Sequence, residues 1–377
     1  MRPIAFYLPQ FHPIPENDKA YGIGFTEWTN TCKAAPLFEG HRQPRTPLGE
    51  NYYCLLDKNV MVRQAALAKE YGIYGFCYYH YWFSGGHKLL EKPIEMMLNN
   101  PDIDMPFCLC WANENWTKRW DGGNKDVIVA QNYGDMEDLE RHVDYLCNFF
   151  KDPRYIRIDD KPLLLIYKAD IVPNLKKILK QIRERVFSKG FKGIVLASQY
   201  PKYFFEGVHL DYFDHYIQFQ PRFAQELEER AKHSVIYNTA MKVLITLGMR
   251  EFGKKLRAKA CGIDSLGENT ELIHRSYSAD WEKILSYDIT DKRLMAGAFV
   301  DWDNTPRNKK GLVYDGASPE LFGEYMKRLS DKIDREYSSD LVFINAWNEW
   351  AEGAYLEPDT VYGYEYLKKL KESVRNI

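Results

Sequence analysis

The sequence predicts a (β/α)8 barrel, a ring of eight parallel strands alternating with helices. Three observations lead there. Eight short apolar runs recur along the chain, with stretches of helical periodicity between most of them. Those runs are apolar at consecutive rather than alternate positions, as strands of a parallel sheet are when both faces are buried. No G-x-G-x-x-G or P-loop follows the first run, so the phosphate-binding turn that most doubly wound nucleotide enzymes need is missing.

In chain order the runs are residues 4–11 (IAFYLPQF), 72–82 (GIYGFCYYHYW), 106–113 (PFCLCWAN), 161–169 (KPLLLIYKA), 193–200 (GIVLASQY), 216–221 (YIQFQP), 295–302 (MAGAFVDW) and 341–347 (LVFINAW). Their β-branched and aromatic content suits strands. Helical periodicity fills residues 59–71, 90–99, 135–150, 173–189 and 319–337, and a last such stretch, 362–374, closes the ring. Two segments exceed a minimal barrel. The loop 12–57 carries GIGFTEWTN and several prolines, and its length suits a lid or cleft wall over the barrel mouth. Residues 222–294 read as a helical insertion before the seventh strand, with Arg230, Lys232, Lys242, Arg250, Lys254, Lys255, Arg257 and Lys259 set against Glu251. A basic stretch of this kind is ordinarily a solvated face; the sharper reading is a peripheral surface that receives a phosphate-bearing or lipid-linked glycan. The expectation is one barrel domain over 1–377 with that insertion inside it.

At 377 residues, 45% hydrophobic and 15% aromatic, the chain has ample material for a large core. Lys and Arg total 51 against 53 for Asp and Glu, and a net charge of -2 gives no general attraction to nucleic acid or anionic lipid. Nine Trp and 27 Tyr serve packing first, but flat aromatic faces also bury the apolar side of a pyranose. Cys32, Cys54, Cys77, Cys108, Cys110, Cys147 and Cys261 are odd in number and scattered, which reads as free thiols in a reducing compartment. Cys108 and Cys110 share one face of a strand, but no second Cys/His pair completes a zinc set, so neither metal nor cofactor is expected. The chain passes from Met1 straight into a strand-like run and holds no long apolar span, so a cytoplasmic protein without a membrane span is expected.

The C-terminal ends of barrel strands rise on one face, where active sites are built. Polar and aromatic residues collect at those ends and in the first loop: Tyr7, Gln10, His12, Glu27, Trp28, His80, Trp82, Trp111, Asn113, Glu114, Asn115, Trp116, Gln218, Asp301, Trp302, Asp303, Asn348 and Trp350. Singly, each is an ordinary turn or capping residue. Jointly they are the candidate substrate-binding set. Glu349 and Glu352 stand among them, and a helical turn there would set their Cβ atoms about 5–6 Å apart on one side. Glycosidic cleavage needs such a pair, one carboxyl protonated to assist the leaving oxygen and one ionised as base or nucleophile. A hard-metal site would want more carboxylates or histidines nearby.

The signature NEWAEG with LEPD downstream resembles the N-E-W-x-E-G-x-x-x-E pattern of WbsX-like proteins, labelled lipopolysaccharide biosynthesis or glycosyltransferase proteins. The likeness runs over nearly the whole chain, through FYLPQFHPIPEND, GFTEWTN, GIYGFCYYHYWFSGG and PFCLCWANENWTKRWDG. The last motif is also similar to the catalytic segment of family 99 glycoside hydrolases, the endo-α-mannosidases. That resemblance implies a barrel in which Glu349 acts as base on the sugar's own 2-hydroxyl, giving a 1,2-anhydro intermediate, while Glu352 is the general acid and then base. This chain has Ala351 where the mannosidase family has His, so the leaving-group side differs. A transferase would look instead to a metal-holding D-x-D, for which residues 301–303 (DWD) and 102–104 (DID) are the local candidates. The expectation is an enzyme that cleaves or transglycosylates a bacterial surface polysaccharide. A glycosyltransferase of lipopolysaccharide, O-antigen or capsule assembly is the first alternative, and a non-catalytic glycan-binding barrel the second.

Overall fold

All eight expected strands form in the computed structural model, which describes residues 1–118, 126–200, 204–205, 210–231, 243–244, 246–247, 249 and 271–374. They are β1 (Arg2–Tyr7), β2 (Gly75–Phe83), β3 (Phe107–Trp111), β4 (Lys161–Ile166), β5 (Val195–Ser198), β6 (His215–Ile217), β7 (Leu294–Phe299) and β8 (Leu341–Asn345). Each pairs in parallel with the next, and β8 pairs with β1, Arg2 opposite Leu341. Closure leaves the ring without an exposed edge. The helices are α1 (Lys58–Glu70), α2 (Glu91–Asn99), α3 (Met136–Phe150), α4 (Leu175–Ser188), α5 (Arg222–Ala231), α6 (Tyr277–Ser286), α7 (Pro319–Glu336) and α8 (Glu365–Ser373). Side-chain caps start several of them: Asp57 accepts from Asn59 N–H, Asp135 from Asp138, Ser276 from Ala279 and Ser318 from Leu321.

Most strands end earlier than their apolar runs. The first stops at Tyr7 because Leu8 turns its backbone to a side chain: its N–H donates to Asn348 Oδ1 and its carbonyl accepts from Asn348 Nδ2. Alternation along β2 decides which residues line the ring. Tyr79 faces inward, where Phe6 stacks on it at 5.6 Å and also meets Phe219 at 5.4 Å and Phe343 at 5.7 Å. His80 and Trp82 fall on the other face and pack against His142 and Tyr145 of α3. Deeper in the ring the Cys110 thiol donates to Gln199 Oε1 at 2.9 Å, and Gln199 Nε2 donates to the Tyr79 hydroxyl at 2.8 Å. Gly297 on β7 has no room for a side chain, since a Cβ there would lie 1.8 Å from the Gln218 carbonyl oxygen.

The long loop after β1 carries two short helices, Pro15–Tyr21 and Glu27–Lys33, and is fastened along its length. Trp28 Nε1 donates to the Tyr53 carbonyl, Leu48 N–H to Pro358, Thr360 N–H to Thr46, and Arg42 pairs with Asp359 at 3.0 Å. It is a wall rather than a hinged lid. Between β6 and β7, α5 and α6 are joined through Glu228, which receives Lys283 at 2.8 Å and Arg275. Arg230 pairs with Glu226; the basic run from Lys232 to Lys259 and its Glu251 lie outside the described residues, as does Cys261. Among the described residues no helix is long and apolar enough to cross a membrane.

Candidate active site

Beyond β8 the chain forms a two-residue strand, Asn348–Glu349, a 3-10 turn, Trp350–Glu352, and a second short strand, Ala354–Tyr355, paired back on the first. Gly353 closes this hairpin at φ 64°, a left-handed conformation that glycine adopts at no steric cost. A Cβ at Gly353 would also press on the Asp303 backbone nitrogen at 3.0 Å. Below the turn, Asn348 is tied to Leu8, while Trp350 stacks on Tyr355 at 3.8 Å and donates from Nε1 to Glu357 at 2.7 Å. Trp28 lies 5.5 Å from Trp350. The turn therefore stands on a packed aromatic base.

Above that base, one cation gathers three carboxylates. Arg307 donates to Glu349, Glu352 and Glu27, each at 2.6 Å. It comes from a tight loop after β7, held by Asn304 Oδ1 accepting Leu312 N–H at 2.7 Å. Gly311 allows that closure, because a Cβ there would sit 2.1 Å from Asn304 Oδ1. The Glu27 side chain is fully buried, and those of Glu349, Arg307 and Glu352 are 9%, 15% and 21% exposed, so the cluster opens toward the cleft at Glu352. Burial pushes the Glu349 carboxyl well above the usual range, with repulsion from Glu352 and Glu27 adding to it and Arg307 opposing. Glu352 is raised as well, by burial and then Glu27, again against Arg307. Burial works against the Arg307 charge too, yet its three carboxylate neighbours hold it well above its ordinary value. One guanidinium against three buried carboxyls leaves an excess of negative charge, which favours retention of a proton at the Glu349 and Glu352 pair.

Other expected residues assemble beside this cluster. Gln10 donates to the Tyr81 hydroxyl at 2.9 Å, and the Glu27 N–H donates to the Gln10 carbonyl. Gln10 Oε1, His12 Nε2 and Glu27 Oε2 are buried acceptors with no partner among the described residues. His12 Nδ1 faces the Pro13 carbonyl, and burial lowers the imidazole's pKa, so Nε2 is the ring's acceptor. Trp116 packs on Tyr81 at 5.1 Å and donates to Asn17, and Trp302 is half-buried at the rim.

Asp301 and Asp303 belong to the wall. Arg45 pairs with Asp301 at 2.8 Å and lies 3.8 Å from Asp303. Leu37 N–H donates to His41 Nδ1, leaving His41 Nε2 to donate to Asp303 at 2.9 Å, where Gln43 and Thr305 also donate. Burial alone would raise Asp303, but Arg45 and the donors from Thr305 and Gln43 hold it below the usual range. The Asp303 N–H in turn donates to the Glu352 carbonyl at 2.7 Å.

Several expected residues are not brought to the carboxylates. Tyr7 points from β1 toward α1 and donates to Gln64 Oε1 at 2.6 Å. His80, Trp82 and Trp111 surround His142 of α3, on the outer face of β2 and β3. Burial lowers His80 to about 3, so it stays neutral there. Gln218 accepts from the Tyr337 hydroxyl. Asn113 clamps the Lys168 backbone, Glu114 pairs with Lys168, and Asn115 accepts from Gln131 N–H. Trp28 and Trp350 support the site from beneath, since Trp28 Nε1 is used on Tyr53 and Trp350 is wholly buried. Tyr7, His80, Trp82 and Trp111 turn to the outer face of the ring, and a strand apolar on both sides gives no sign in sequence of which face is inward. Arg307 sits in a stretch with Lys309 and Lys310 that reads as solvated, so no sequence signal marks it. Glu357, within the LEPD motif, is buried behind the turn.

The profile described as Glycosyltransferase WbsX matches residues 3–370. Two proteins of Xanthomonas campestris pv. campestris, each named uncharacterized protein WxcX, are similar to this chain: 36% identical in strain B100 and 37% in strain ATCC 33913, over 381 residues. The alignments cover 98% of this chain and 49% of each relative, so the chain spans about half the length of the curated relatives it matches. Among solved structures, a GH99 endo-α-mannosidase from Bacteroides thetaiotaomicron aligns with a TM-score of 0.55 at 10% identity, covering 99% of this chain and 96% of that one. A glycoside hydrolase-like protein aligns with a TM-score of 0.56 at 12% identity, covering 100% and 94%. Those two likenesses are of fold, and they match the closed eight-stranded ring. The profile spans nearly the whole chain, from β1 into α8, and on that ground this chain belongs to the WbsX glycosyltransferase family.

Proposed function

We propose that this chain cleaves or transfers glycosidic bonds of a bacterial surface polysaccharide, with Glu349 and Glu352 as its acid and base. The observation that carries the reading is the pair itself: two carboxyls on one rigid turn at the C-terminal rim, both raised by burial and both bound to Arg307. Burial and mutual repulsion raise both members, which favours one proton shared between them, with one carboxyl protonated and the other charged as glycosidic chemistry requires. In the route suggested by likeness to the mannosidases, Glu349 takes the proton of the sugar's 2-hydroxyl, whose oxygen bonds to the anomeric carbon. Glu352 gives its proton to the departing glycosidic oxygen as the bond between that oxygen and the anomeric carbon breaks. Water, or an acceptor hydroxyl, then opens the 1,2-anhydro ring at the anomeric carbon, losing its proton to Glu352 while Glu349 returns one to O2. Hydrolysis and transfer thus differ in the acceptor alone.

The buried acceptors Gln10 Oε1, His12 Nε2 and Glu27 Oε2 support a ligand rich in hydroxyl donors. The metal-dependent alternative has less support at either D-x-D. Asp301 and Asp303 already carry Arg45, His41, Gln43 and Thr305. Asp102 and Asp104 pair with Lys58 and Lys69 before β3, at the opposite end of the barrel from the candidate site. Proton transfer and the substrate's own hydroxyl need no divalent ion, so turnover should persist in chelator. The experiment incubates purified protein, Glu349→Gln and Glu352→Gln with bacterial polysaccharides and, separately, with sugar nucleotides plus acceptor, each with and without chelator. The expected result is chelator-insensitive release of reducing ends, reduced about 100-fold or more in both folded variants. Unchanged turnover in the variants removes the acid/base assignment. Product formed only from a sugar nucleotide with metal makes the chain a metal-dependent transferase.

A further inference from the structure

Arg307 is held in place before any substrate arrives. Its loop is closed by the Asn304 side chain, requires the missing side chain of Gly311, and is followed by Leu312–Asp315, a strand paired in parallel with Ile273–Ser276. From that frame the guanidinium reaches three carboxylates supplied by two distant parts of the chain: Glu27 in the first loop, and Glu349 and Glu352 after β8. Different nitrogens serve the two members of the pair, the one that contacts Glu352 being distinct from the one shared by Glu349 and Glu27. A planar fork of this kind fixes the angle between the carboxyls it binds as well as their charge, which an ammonium on a flexible stem does not.

We infer that Arg307 is a positioning residue for the acid/base pair, holding Glu349 and Glu352 as one proton-sharing unit while the same guanidinium binds Glu27. The inference rests on the proposed role of that pair. Among the described residues, few charged and titratable groups face the unit. The phenol of Tyr81 on β2 faces Glu349 and Arg307. The phenol of Tyr167, following β4, faces Glu352 and Glu114. Behind Glu352 the Asp303 backbone N–H donates to its carbonyl, with Arg45 and His41 on the Asp303 carboxylate. Among the described residues, Arg307 is the cation in direct contact with the pair. Without it, burial and the mutual repulsion of three carboxyls act unopposed, and the carboxyl that must be ionised to serve as base holds its proton to higher pH.

The test compares the pH profile of kcat and kcat/KM for the wild type, Arg307→Lys and Arg307→Ala, with and without guanidinium ion added to the Ala variant. It is paired with infrared titration of the carboxyl band that Glu349→Gln and Glu352→Gln abolish. Arg307→Ala is expected to lower kcat about 100-fold with KM little changed and to move the acidic limb up by about one pH unit or more. Added guanidinium should restore part of the rate, and Arg307→Lys should keep the charge but only part of the activity. The infrared titration of the Ala variant should move in the same direction without any turnover, which separates the two ideas. A wild type that turns over no glycan while its carboxyl band still shifts on losing Arg307 removes the glycosidic reading and keeps the proton-sharing unit. An acidic limb and carboxyl band that stay where the wild type has them overturn the inference. Should Arg307→Ala fail to fold, Arg307→Lys and Glu27→Gln carry the same comparison, and coincident profiles there overturn it equally.

Discussion

Glu357 is buried among Tyr53, Gln64 and Trp350, whose polar hydrogens all point at its carboxyl oxygens, at 2.8, 2.6 and 2.7 Å. Burial nevertheless dominates and raises this carboxyl to about 7, with those donors opposing. A cavity of about 280 Å³ between α1 and the first loop borders it. The folded protein therefore binds the Glu357 proton more tightly than the unfolded chain, whose ordinary value is near 4.5. Its stabilising contribution is full below about pH 4.5 and declines as pH rises toward 7, by about 3 kcal/mol in all. Thermal unfolding should show a higher Tm at pH 5 than at pH 8, and Glu357→Gln should flatten that slope, whatever it does to the absolute Tm. An equal slope in the variant would exclude Glu357 as its source. A second prediction concerns the wall. Arg45→Met removes the only guanidinium on Asp301 among the described residues and leaves a buried charge, at a cost of about 3–5 kcal/mol. Denaturant unfolding of the variant checks it, and a loss below about 1 kcal/mol, the scale of an exposed pair, would contradict the burial argument.

At the scale of elements, β7 shows what a strand in this ring tolerates. Gly297, inside β7, lies against the carbonyl oxygen of Gln218 just beyond β6, so Gly297→Ala must push β7 away from the end of β6 or distort the chain there. The expected loss is about 3 kcal/mol or more, at the upper end of overpacking costs, read as a drop in Tm beside an Ala substitution at an exposed helical site. Packing within the ring separates the features that a sequence can announce from those it conceals. Eight strands and six of the connecting helices were legible, because a parallel ring demands apolar runs and helical crossovers wherever it is used. Strand ends were not, since their position depends on partners far along the chain, as with Asn348 capturing Leu8. Facing was not legible either: His80 and Trp82 sit beside Tyr81 in sequence, but only Tyr81 turns toward Glu349.

For the molecule as a whole, the segment Asn348 to Glu352 stands out in the sequence as two acids among tryptophans, whereas Arg307 depends on a loop closure that no local pattern announces. Completion of the ring also rests on the last helix. Tyr366 of α8 packs on Phe322 of α7 at 5.6 Å, and Gly323 lets the Lys369 side chain lie against that helix. Removing residues 363–377 would expose that face of α7, so the truncated chain should bind a hydrophobic dye and lose its cooperative unfolding transition; a shortened chain with an unchanged melt would show α8 to be dispensable.

The fastening of the first loop has a kinetic meaning. Bonds from Arg42, Arg45, Leu48 and Thr360 fix that wall to the segments after β7 and β8 at several points, which argues against a slow opening step before ligand entry. If the proposed function holds, association with an oligosaccharide should run as a single step, its observed rate climbing in proportion to ligand concentration without a plateau, and substitutions at Gln10, His12 and Glu27 should change the dissociation rate more than the association rate.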